Sequence, residues 1–108
     1  MAKTVSQSQE HVRNVAVGRY LDTGTAAAFV ITVGFKPRVV RVINVDSGDV
    51  MEWYEGMADA SGCKTTGSTG ARSKVTSNGL TISQNGFTVG LDTDVNVTNE
   101  QISWEAVG

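Results

Sequence analysis

One cysteine, one proline and one histidine are all that occur in the 108 residues, and aromatic side chains make up only 6%. A single cysteine excludes an intrachain disulfide framework, and with a single histidine it excludes a zinc cage of the His/Cys kind. Charge is also sparse, at 19% of residues, and nearly balanced: nine Lys plus Arg against eleven Asp plus Glu, a formal net charge of −2. That balance argues against a general nucleic-acid binder, which carries a basic excess. No apolar run approaches the roughly 18–20 residues of a membrane-spanning helix. The opening Met1-Ala2-Lys3-Thr4-Val5-Ser6-Gln7 lacks the apolar core of a secretory signal, so synthesis and folding in a cytoplasm are expected. Asn96-Val97-Thr98 matches a glycosylation sequon that would be idle there. Catalytic signatures are missing as well. No G-x-S-x-G elbow occurs, and Gly67-Ser68-Thr69-Gly70-Ala71-Arg72-Ser73-Lys74 lacks the Gly-Lys ending of a phosphate loop.

What is abundant is Val, Gly, Thr, Ser and Asn. β-Branched side chains fit a pleated, half-buried surface, while Gly and Asn serve tight turns. Together they read as many short strands joined by turns, an all-β chain. At this length there is room for one domain with a modest core. Residues 1–14 are expected to form a polar N-terminal arm, extended in preference to a short helix over residues 8–15. Residues 15–108 are expected to form a single antiparallel β domain.

Within that domain, residues 15–20 read as a first strand and residues 22–25 as its turn. Residues 26–35 read as the strongest core strand, with Phe29, Ile31, Val33 and Phe35 on one buried face. Pro37 breaks the ladder. Residues 38–45 resume it with Val39, Ile43 and Val45 on one face and Val40 and Val42 on the other, a central strand. Residues 50–55 follow a turn. Residues 56–78 hold four glycines and hardly a large apolar side chain. They read as a long exposed Gly/Ser/Thr-rich loop or as a segment packing on a neighbouring chain, in either case the leading partner-contacting element. Asn85-Gly86 reads as a two-residue hairpin turn pairing Gln84 with Phe87 and Ile82 with Val89. Asn78-Gly79-Leu80-Thr81-Ile82 echoes Asn85-Gly86-Phe87-Thr88-Val89, a repeated turn–strand solution. Residues 101–107 form the last strand, with Ile102, Trp104 and Ala106 inward.

Chemistry-bearing residues are few. Asp92, Asp94 and Asn96 resemble the start of a calcium loop, but the sixth and twelfth positions, Val97 and Ser103, break the EF-hand pattern. A polar connection between strands is the reading preferred; an ion gathered across a subunit interface is the alternative. Glu52 and Glu55 fall on opposite faces of one strand by parity, which suits surface charge better than a glycosidase acid–base pair. His11 has no rigid orienting partner and Cys63 sits in the Gly-rich stretch, so neither reads as catalytic. No catalytic, metal or cofactor residue is assigned. Candidate partner contacts are His11 and Arg13 in the arm, Arg38 and Arg41 (with Lys36 and Arg19) on the central sheet, and Arg72 and Lys74 in the Gly-rich segment. Trp53 and Tyr54 join them. These two point to opposite faces, one for the core and one exposed or at an interface.

Four segments carry a resemblance: Gly34-Phe35-Lys36-Pro37-Arg38-Val39-Val40-Arg41-Val42, Glu52-Trp53-Tyr54-Glu55-Gly56-Met57, Thr76-Ser77-Asn78-Gly79-Leu80-Thr81-Ile82, and the stretch from Asn85-Gly86-Phe87 through Asp94-Val95-Asn96. With Glu100 and Trp104 they resemble small virion proteins of tailed bacteriophages, in particular capsid decoration (cement) proteins and head or tail fibre modules. The resemblance covers roughly residues 28–106. It implies a compact β-sandwich, a jelly roll being one form of it, that self-associates as a dimer or trimer. It further implies a non-enzymatic protein without cofactor, bound to the major capsid protein on the outside of the shell. Neither nucleic acid nor membrane is among the implied partners. A fibre or baseplate module for host attachment, glycan-binding in one form, is the alternative.

Overall fold

Alternating side chains become a strand where one set of them finds cover and the backbone finds a partner on at least one side. The structure, a computed structural model, describes residues 14–108. Eight strands form: β1 Val15–Leu21, β2 Phe29–Thr32, β3 Val39–Asn44, β4 Val50–Tyr54, β5 Ser61–Thr65, β6 Arg72–Ile82, β7 Gly86–Val89 and β8 Gln101–Val107. All neighbours are antiparallel, and the spatial order is β1-β8-β3-β4-β5-β6-β7-β2. The chain is therefore all-β. Among the described residues no helix is long and apolar enough to cross a membrane.

The eight strands belong to one continuous hydrogen-bonded sheet, where a sandwich of two sheets was expected. That sheet curls until its ends face each other. Tyr20 on β1 stacks on Phe29 of β2 with ring centroids 4.2 Å apart, although these strands stand at opposite ends of the order. Trp104 on β8 meets Phe87 on β7 edge-on at 5.5 Å. Between them lies a single core of Ile31, Val40, Val42, Met51, Trp53, Leu80, Phe87, Val89, Val95, Ile102 and Ala106. Burying each of its larger side chains contributes about 1.5–3 kcal/mol.

The curl has a local cause in β6. Gly62 of β5 pairs with Val75, but Ser61 pairs with Leu80, so residues 76–79 have no counterpart on β5. Asn78 turns the chain there with φ +58°. A Cβ on Gly79 would collide with the Ser61 backbone, so glycine is what lets the two strands close again. Bulges of this kind bend a strand and sharpen its twist. One strand thus serves both halves of the sheet.

Parity arguments hold across the fold. β3 is central, between β8 and β4, and β8 buries Ile102 and Ala106 with Trp104 half-buried on the same side. Three expectations are corrected. Residues 56–78 are not a long loop: β5 and most of β6 form a hairpin there, held by backbone ladders to β4 and β7 in place of large apolar side chains. Residues 26–35 shrink to the four residues of β2 at a sheet edge, although Ile31 is buried and Phe29, Val33 and Phe35 half-buried, as their parity required. The β6–β7 hairpin keeps its expected faces but slides by two residues, pairing Ile82 with Phe87 and Leu80 with Val89. Slippage by two preserves the inward set, so hydrophobic patterning cannot oppose it. The Asn85 carbonyl is engaged elsewhere, accepting from Val33 N at 2.8 Å and Gly34 N at 2.9 Å. Neither Asn85 nor Gly86 adopts positive φ. Gly86 is instead a close-approach glycine, since a Cβ would strike the Ile31 carbonyl. The resemblance between residues 78–82 and 85–89 therefore does not extend to a shared turn.

Candidate interaction surface

Because cross-strand partners share a face, the registers lay out the outer surface of β1, β8, β3, β4, β5 and β6 in rows. One row runs Val15–Val107–Val39–Tyr54. The next runs Val17–Glu105–Arg41–Glu52–Cys63–Lys74, and a third Arg19–Ser103–Ile43–Val50–Thr65–Arg72. Apolar side chains at the β1 side of this face stay open to solvent: Val17 is 70% exposed, Val15 55%, Val45 53% and Ile43 38%. A shallow concavity of about 330 Å³ lies over the small Ser103, flanked by Val17, Ile43 and Val50 and rimmed by Arg41 and Glu105. The expectation that both faces of β3 are partly apolar is met, but only one of them is covered.

Across the apolar band runs a ladder of opposite charges. Arg41 lies 3.5 Å from Glu105 and 3.3 Å from Glu52, and Arg72 lies 3.1 Å from Glu52. The Tyr54 hydroxyl donates to Glu52 at 2.7 Å. That hydrogen bond is the main reason the Glu52 carboxyl is held below its usual range; burial opposes it, and Arg72 and Arg41 reinforce it. Arg41 and Arg72 are pushed up, Arg41 chiefly through Tyr54 and Arg72 chiefly through Glu52. Arg38 makes a two-point contact with Glu55, its Nη2 3.0 Å from Oε1 and its Nε 3.1 Å from Oε2. Glu52 and Glu55 therefore each face arginine, not one another.

The acidic stretch after β7 has a different partner. Lys64 on β5 reaches Asp94 at 2.6 Å and Asp92 at 3.1 Å, so an ammonium group occupies the place between the carboxylates where an ion was weighed. Burial alone would depress the Lys64 pKa, but the hydrogen bonds and charges of Asp94 and Asp92 outweigh it and raise it. Asp92 Oδ1 also accepts from Asp94 N and Val95 N, shaping the turn. Asn96 is engaged apart from them, accepting from the Tyr20 hydroxyl at 2.9 Å and donating to Ala27 O and Gly90 O. Tyr20 is pushed up to about 12, by burial first and by the nearby Asp22 second.

The remaining candidates separate cleanly. Trp53 belongs to the core, 6% exposed, with its indole N–H donating to Ala58 O at 3.1 Å; Tyr54 is the exposed member of the pair. Arg41, Tyr54, Arg72 and Lys74 come together on the outer face, and Arg38 stands beside them with Glu55. Cys63 lies within β5 in the same row, half-buried. His11 and Arg13 lie outside the described residues. What residue-by-residue reading missed is the apolar band of Val15, Val17, Ile43 and Val45. Only the pairing of β8 between β1 and β3 brings those residues to one surface. Comparison with family models, with curated proteins and with solved structures finds no match to this chain.

Proposed function

We propose that the chain is a non-enzymatic structural protein of a tailed-bacteriophage particle. It binds the outside of the capsid shell and stabilises it by clamping neighbouring major capsid subunits. The reading takes its virion placement from the sequence resemblance. The structural observation that supports it best is the outer face itself, an exposed apolar band crossed by a ladder of charges. Such a surface suits a protein partner, with the apolar centre supplying affinity and the charges fixing register. Binding only the assembled shell stabilises it by mass action.

The copy number of this chain per particle, measured against the major capsid protein in purified virions, tests the reading. A number comparable to the shell protein is expected. A handful of copies would overturn it in favour of a tail, fibre or baseplate module, with Tyr54 as the aromatic that meets a receptor.

A further inference from the structure

The two edges of the sheet are protected very differently. Exposed edges invite pairing with another chain, and proteins blunt them by shortness, proline, bulges or charge. β2 is four residues long and Lys36-Pro37 follows it closely. β1 is seven residues long, holds no proline or bulge, and carries a single charge, Arg19. Its backbone pairs with β8 on one side and, among the described residues, makes no backbone hydrogen bond on the other.

We infer that β1 is a self-association edge, pairing antiparallel with β1 of a second copy of this chain about a two-fold axis at Gly18. Three observations choose this register. It is the one that engages all seven residues of both strands. It places inward side chains opposite inward ones, Ala16 facing Tyr20 of the second copy and Gly18 facing Gly18, so the large ring always meets a small residue. It also avoids setting arginine against arginine, which a two-fold at Arg19 would do.

Charge complements the shape. Arg19 is exposed and has no ion pair among the described residues. In the joined sheet it lies opposite Val17 of the second copy, and the next residue in that row is that copy's Glu105. Among the described residues the Glu105 carboxylate has an ion pair only with Arg41, at 3.5 Å, and a carboxylate can accept from more than one donor. Each arginine thus reaches across the axis toward a glutamate, twice by symmetry. The valine rows of the two outer faces become continuous, Val15 abutting Leu21, and a band spans both copies. This association belongs to the isolated chain and does not depend on the capsid reading.

Sedimentation velocity on the full 108-residue chain over a wide concentration range tests it, together with oxidative cross-linking. The expected mass is about twice the 11.4 kDa of one chain. Val17→Lys puts a lysine on the edge at two symmetric places and should weaken association roughly tenfold or more. In a Cys63→Ser background, Val17→Cys with Arg19→Cys should form an interchain disulfide, and Val30→Cys on β2 should not. The cross-link keeps the test decisive even where Val17→Lys loses its fold. A monomer at every concentration overturns the inference. So does a trimer, and so does a dimer that neither responds to a folded Val17→Lys nor cross-links through positions 17 and 19.

Discussion

Lys64 and Glu52 each hold two partners of opposite charge, yet the two arrangements do different work. Lys64 is 16% exposed and its partner Asp92 only 10%, so both charges have left water. Glu52 is equally covered, but its partners Arg41 and Arg72 are more than half exposed. The Lys64 pair ties the connection after β7 back to β5, 28 residues away in sequence, where no backbone ladder would hold it. The Arg41–Glu52 pair stitches β3 to β4, already joined by backbone hydrogen bonds, and the Arg72–Glu52 pair spans β5, which is itself laddered to both β4 and β6. The same two-to-one stoichiometry is structural in one place and superficial in the other. Removing a partner from a buried pair leaves an uncompensated charge, whereas exposed pairs contribute about 0–1 kcal/mol.

Lys64→Ala breaks the comparison most severely. It should cost about 2–3 kcal/mol in urea denaturation, somewhat less than the 3–5 kcal/mol of a fully buried pair because Asp94 is half-exposed. Lys64→Met combined with Asp92→Asn removes both charges, keeps the side-chain oxygen that accepts from Asp94 N and Val95 N, and should recover part of the loss. Equal losses in the single and double variants would show that packing, not charge, makes this tie. The raised Lys64 pKa sets the alkaline limit: the contribution is still present as pH approaches the ordinary lysine value of about 10.4 and is lost as pH rises through the raised one.

Glu52 responds at the opposite end of the scale. Its lowered pKa means that its contribution is full above the usual glutamate value of about 4.3 and is lost as pH falls through the depressed value. Glu52→Gln should cost about 1 kcal/mol at neutral pH and flatten the acid side of a melting-temperature profile. An unchanged acid profile would place the pH sensitivity elsewhere. Arg38→Ala is the smallest expected effect, within about 0.5 kcal/mol by the same denaturation, because its contact with Glu55 lies in solvent. A loss comparable to Lys64→Ala would erase the distinction drawn between the two kinds of pair.

Much of this architecture is legible in the residues because parity needs no knowledge of partners. Val40 and Val42 against Val39 and Ile43, Trp53 against Tyr54, and Ile102 with Ala106 all follow from a period of two. The hairpin of β5 and β6 is hidden for the opposite reason. Ser61–Thr65 and the residues up to Gly79 hold Val75 as their one sizeable aliphatic side chain, and their order comes from ladders to neighbours that composition does not disclose. The Lys64 tie is equally hidden, since nothing local links residue 64 to 92 and 94. Gly18 illustrates the same limit. It looks like a weak point in a strand, but a Cβ there would collide with the Trp104 indole on the adjacent strand.

The position of β8 carries a further consequence for how the protein comes into being. It is made after the other seven strands, yet it lies between β1 and β3 and, among the described residues, supplies the only ladder that β1 has. During translation β1 therefore lacks this partner until the ribosome has extended the chain through Val107. Native assembly of this side of the sheet therefore cannot be completed before β8 has been made. Any nascent chain stalled before that point presents β1 and β3 as two open edges at once.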